Sequence, residues 1–111
     1  MKKLLLTFIC VAFIPVFLMA NPPKKVVLSY TAGKLKVQAI HPVKDVKIHY
    51  INLIIIKVDG KLVTEIKPKQ QSSAQEELVE VAVPEIKPGS VVEVKSHCNL
   101  YGAKSETLKV K

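Results

Sequence analysis

Arginine and tryptophan are absent from this chain, and aromatic residues make up only 5% of its 111 positions. All seventeen basic residues are therefore lysines, set against nine acids. Few aromatics interleave with these lysines, and a nucleic-acid surface relies on such interleaving, so nucleic acid is excluded as the expected partner. Cysteine is nearly absent too: there is Cys10, in an apolar N-terminal run, and Cys98. If the N-terminal run is removed, Cys98 has no intrachain partner, which excludes a disulfide framework. A lone cysteine in an exported chain then calls for a ligand role, a reactive thiol or an intermolecular bridge. No stripe of helical period follows residue 20, and no internal repeat is visible. These two absences exclude a helical bundle and a solenoid.

The N-terminus reads as an export signal. Met1-Lys2-Lys3 is a short basic start, "LLLTFICVAFIPVFLM" is an apolar run interrupted by Pro15, and Ala20 supplies a small residue just before Asn21. The rival reading is an uncleaved anchor, because about 18–20 apolar residues span a bilayer. Pro15 and the shorter run favour the signal peptide. A lipoprotein signal needs a small residue before Cys10, and Ile9 is not small. The expected organisation is a signal peptide over 1–20 and one domain over 21–111. The domain is placed in the periplasm or secreted, with no membrane attachment after cleavage. About 90 residues bury one modest core. With a net charge of about +6, the domain favours anionic partners; the plainer alternative is a solvated basic surface.

Period-two patterning runs through the mature chain. Leu35, Val37 and Ala39 alternate with Lys34, Lys36 and Gln38, as in a half-buried strand. "HYINLIIIKV" from His49 is β-branched and apolar on both phases, which suits a central strand covered on both faces. Asp59-Gly60, between strand-like runs, predicts a hairpin with "KLVTEI" returning. "PKQQSSAQEE" from Pro68 is polar and aperiodic and reads as a loop. Val79, Val81 and Val83 alternate again, and "SVVEVKSHC" and "ETLKV" complete the set. With "VVLSY" at Val26, this gives about seven short strands and predicts an all-β, immunoglobulin-like antiparallel sandwich.

Strand phase groups the chemistry. Val92, Val94, Ser96 and Cys98 share one phase, whereas His97 falls on the other with Glu93 and Lys95. His41 is in phase with Leu35, Val37 and Ala39, just past their strand. His49 is in phase with Ile51, Leu53 and Ile55. Convergence of His41, His49 and Cys98 at one edge of the core is therefore expected, with His97 excluded as a ligand. Imidazole and thiolate are transition-metal donors. The alternative is two partly buried histidines at strand ends and a small core cysteine. A nucleophilic Cys–His pair is the weakest reading, because no acid or amide is evidently placed to orient the histidine.

"AIHPVKDVKIHYINLIIIKVDGK" resembles the stretch of superoxide reductases that runs His-Pro-Met, a few residues, then His-Tyr-Ile. "SHCNLYG" resembles their Cys-Asn-x-His-Gly segment, and "YTAGKLKV" fits the strand before the His-Pro turn. The family includes neelaredoxins and the iron domain of desulfoferrodoxin, and it has an immunoglobulin-like sandwich. The resemblance implies a mononuclear non-haem iron held by four planar histidines and an axial cysteine. The position opposite the sulfur stays open for superoxide, which is reduced to peroxide. It makes His41 the His-Pro ligand, His49 the His-Tyr ligand and Cys98 the axial ligand. Two planar histidines are missing: Tyr101 stands where one belongs, and the other would fall near Lys24, since no histidine precedes His41. The interval from His41 to His49 is also two residues longer than the usual motif.

The implied function is an exported iron-binding domain of the superoxide reductase type. Its partners would be superoxide or another small anion and an electron-donor protein. Two alternatives stand beside it. One is a non-catalytic, immunoglobulin-like periplasmic module that binds a protein partner or resembles a sulfur-carrier subunit, with a vestigial site. The other is copper or zinc in the same His-His-Cys pocket.

Overall fold

The computed structural model describes residues 22–111; the expected signal peptide lies outside the described residues. Seven strands form two antiparallel sheets: β1 (Lys25–Thr31), β2 (Lys34–Ile40), β3 (Ile51–Val58), β4 (Lys61–Ile66), β5 (Glu76–Ala82), β6 (Val91–Cys98) and β7 (Ala103–Lys109). One sheet has the order β1-β2-β5 and the other β4-β3-β6-β7. The β2–β5 and β3–β6 pairings join strands distant in sequence, as in an immunoglobulin-like sandwich, and here the fourth strand joins the third strand's sheet.

Alternation places the core. Leu35, Val37 and Ala39 of β2 are fully buried and meet Val92 and Val94 of β6 and Ile54 and Ile56 of β3 in one cluster between the sheets. The β3–β4 hairpin turns on Asp59 and Gly60, both at positive φ (51° and 85°), which is the two-residue geometry that matches strand twist. Asp59 also ties this pole to β6, because its Oδ1 accepts the Val91 N–H at 3.0 Å.

In β3 the structure departs from the sequence pattern. The register with β6 slips between Ile51 and Leu53, a bulge at Asn52. Ile51, Ile54, Ile56 and Val58 therefore point into the core, while Leu53 and Ile55 are half-buried on the outer face. A bulge adds one residue to one strand and so reverses the facing of everything beyond it. The strand is central in its sheet, but among the described residues only its inner face meets a second layer. The outer face carries a shallow cleft lined by Ile55, Lys57, Glu93, Lys95 and Ser105.

Candidate metal centre

At one pole, β2 ends, β3 begins, and β6 turns into β7. His41 follows directly on β2 and keeps its inward phase, leaving it 1% exposed. The chain then crosses between the sheets over residues 41–50. This crossing is pinned to the β4–β5 loop, with His41 N–H donating to Gln75 O at 2.8 Å and Val43 N–H to Ala74 O at 2.7 Å. Asp45 closes a tight turn: its side chain accepts the Lys47 N–H at 2.9 Å, and its carbonyl accepts the His49 N–H at 3.0 Å. That turn takes up the long interval between the two histidines and brings His49 back over the core.

Cys98 ends β6 opposite Ile51. Its own N–H donates to Gly102 O at 3.0 Å, and the turn folds the N–H groups of Leu100 and Tyr101 onto Sγ at 3.4 and 3.3 Å. Gly102 lets this turn lie against the start of the domain, since a Cβ there would stand 3.2 Å from Cβ of Pro22. Asn99 braces the turn to the segment before β3. Its Oδ1 accepts the Tyr50 N–H and its Nδ2 donates to Ile48 O, both at 2.9 Å.

These supports bring the three residues expected from strand phase together. The ligating atoms of His41, His49 and Cys98 all lie within 4.8 Å of one another. His49 Nε2 is 3.1 Å from Cys98 Sγ. The imidazoles of His41 and His49 meet edge to face, with centroids 4.7 Å apart and planes at 89°. Burial, and secondarily the neighbouring His41, lowers the pKa of His49 from its ordinary value and so favours the neutral, ligating imidazole.

The donor set could hold a metal ion. Two donors on one ion, at the usual N and S bond lengths and at right angles, stand about 3.1 Å apart, which is the distance from His49 Nε2 to Cys98 Sγ. The full set spans up to 4.8 Å, more than the roughly 4.4 Å that two such donors span across one ion, so binding would draw the three side chains together. The sulfur already accepts two amide hydrogen bonds, an arrangement that tunes a ligating thiolate.

His97 lies outside the cluster, as its phase requires. It pairs with Leu53 and Ala103 on the neighbouring strands, and its Nε2 is buried with no hydrogen-bond partner in the described residues. Tyr101 sets its ring edge-on to His49 at 5.8 Å, packing over the turn. Lys24 lines a cleft of about 180 Å³ with Pro22, His41 and Pro42, on the His41 side of the centre.

Two supporting residues escaped the sequence reading. Asn99 was legible only as part of the Cys-Asn-x-His-Gly resemblance, with no structural role attached. Gln71, in a Gln- and Ser-rich loop, carries no local signal at all, yet it is 1% exposed and bonded to His41.

No family model matches the chain, and no curated protein is a significant match to its sequence. Solved structures do match. Superoxide reductase (1Fe-SOR) from Giardia intestinalis aligns with a TM-score of 0.63 at 12% identity, over 80% of this chain and 99% of that one. A superoxide reductase (neelaredoxin) from Ignicoccus hospitalis aligns with a TM-score of 0.52 at 15% identity, over 86% of this chain and 84% of that one. At such identities the likeness is one of fold: this chain has the two-sheet sandwich found in superoxide reductases.

Proposed function

We propose that this protein is an exported mononuclear iron-binding domain of the superoxide reductase type, with His41, His49 and Cys98 as its protein ligands and residues 1–20 as the export signal. The observation that carries this reading is the meeting of two imidazoles and one thiol, the thiol in a Cys-Asn segment, at one pole of a sandwich whose fold is like that of superoxide reductases. Iron held there by His41, His49 and Cys98 would supply the one-electron chemistry that turns superoxide into peroxide. The chain holds the ligands on three separate elements and presents Cys98 from the inner side. It also sets Lys24 and Lys44 near the histidines, where positive charge steers small anions inward. The reaction is expected to be slower than in a protein with four histidines, because oxygen donors in their place favour the ferric state. Re-reduction then falls to an electron-donor protein.

A second reading, a non-catalytic module that binds a protein partner, draws on one observation. Ile48, Leu100 and Tyr101 stand 65%, 52% and 41% exposed on the turns beside the centre. Isolated exposed apolar groups are ordinary, but three around one site suit a contact surface. Metal analysis of the protein purified from its own compartment separates the two readings, followed by mixing the ferrous form with pulse-generated superoxide. About one iron per chain, a sulfur-to-iron charge-transfer band lost in Cys98→Ser, and superoxide decay dependent on the protein support the first reading. Iron-free protein with no effect on superoxide leaves the partner-binding module; stoichiometric copper or zinc reassigns the metal.

A further inference from the structure

We infer that Gln71 is a positioning residue that sets the tautomer of His41, keeping a proton on Nδ1 so that the lone pair of the neutral ring is on Nε2. The inference deepens the metal-site reading by naming which atom of His41 would ligate, but the tautomer itself stands without a metal.

The fixed polarity of the backbone carries the argument. The Gln71 amide makes four hydrogen bonds. Its Nε2 donates to His41 O at 2.7 Å and to Ser73 O at 2.9 Å. Both partners are carbonyls, which only accept, so this end of the amide must be the NH₂ group. Its other end must be the carbonyl oxygen, consistent with the Ile51 N–H donating to Oε1 at 3.3 Å. The same Oε1 lies 2.7 Å from His41 Nδ1. An amide oxygen only accepts, so Nδ1 has to carry the hydrogen. The other tautomer would set two lone pairs against each other at that distance. Both side chains are 1% exposed, so water does not relieve the conflict. With Nδ1 committed, the neutral ring's remaining lone pair is on Nε2. In metal sites, a ligating histidine is oriented in this way by the partner of its other nitrogen.

The placement of Gln71 makes this a device of the whole pole. It comes from the loop between β4 and β5, yet it joins the end of β2 through His41 to the start of β3 through Ile51. One side chain thus ties together the first residue of the crossing and the first residue of the strand after it. The loop is held in turn by Gln71 N–H donating to Val46 O at 3.0 Å. The amide is neutral, so it fixes the imidazole without adding charge beside the thiol.

The test uses the metal-free protein and two variants. Long-range ¹H–¹⁵N correlations on the wild-type imidazoles identify the protonated nitrogen of His41 directly, and Nδ1–H is expected; Nε2–H in wild type overturns the inference outright. Gln71→Glu keeps an acceptor for Nδ1–H but loses both donors to the carbonyls, whereas Gln71→Met keeps the length and loses every hydrogen bond. The Nδ1–H tautomer should persist in the first and become mixed in the second. Affinity for added ferrous or zinc ion should fall roughly 10–100-fold in Gln71→Met and be largely retained in Gln71→Glu. Equal losses in both variants, with the His41 tautomer unchanged in both, would mean that Gln71 is a structural clamp and nothing more. If the wild type binds no metal but shows Nδ1–H, the metal-site reading fails and the role of Gln71 survives.

Discussion

Replacing Asn99 by alanine removes the brace between the Cys98 turn and the segment bearing His49. Two bonds are lost, Tyr50 N–H to Oδ1 and Nδ2 to Ile48 O, each 2.9 Å. The first is part-buried and the second is exposed, so they count unequally. A net contribution of about 1 kcal/mol for the first and about 0.5 kcal/mol for the second gives a destabilisation of about 1.5 kcal/mol. The backbone bond from Asn99 N–H to Tyr50 O remains and limits the damage. For a domain of this size, 1.5 kcal/mol lowers the Tm by roughly 6–12 °C. Asn99→Asp keeps the acceptor for Tyr50 N–H and should cost only the exposed bond. Because Ile48 and Tyr50 flank His49, the alanine variant should also hold metal roughly tenfold more weakly, through a looser approach of His49 to Cys98. Urea denaturation of the three proteins, with metal titration in parallel, tests this. Equal stability of the Ala and Asp variants would refute the unequal weighting, and an alanine variant within 0.5 kcal/mol of wild type would refute the brace.

Two further outcomes are expected. His97→Ala should leave metal content unchanged, since the ring lies across the strand from Cys98; a large loss of metal would show that the strand phase is broken before residue 97. Burial raises the pKa of Glu77, against two opposing hydrogen bonds from Ser72. The folded state therefore holds this proton more tightly than the unfolded chain does. The penalty for ionising Glu77 is absent below the unfolded carboxyl pKa of about 4.3 and complete above the raised folded value, so stability falls as pH rises through that window. Glu77→Gln should abolish this component in urea midpoints measured across the window, and parallel pH profiles for the two proteins would exclude it.

Much of the architecture was determined by the sequence alone, for a local reason. Side-chain direction in a strand alternates with period two. Leu35, Val37 and Ala39, and Val92, Val94, Ser96 and Cys98, therefore declare their inward faces without reference to any partner. The same rule carried His41 inward and His97 outward, and Asp59-Gly60 could only be a tight hairpin. The phase assigned to His49 held for Ile51 but not for Leu53 and Ile55. The bulge at Asn52 exists only in the pairing of β3 with β6, and a slip of register against a distant strand leaves no trace in a strand that is apolar on both phases. Tertiary structure also decided the role of Gln71. A glutamine in a polar loop has no periodicity to betray it. It becomes buried and fully bonded only because residues 41–51 fold back over it, and those contacts span separations of 20 and 30 residues along the chain. Strand faces follow from each segment's own alternation, whereas the bulge and the buried amide depend on partners brought together by folding.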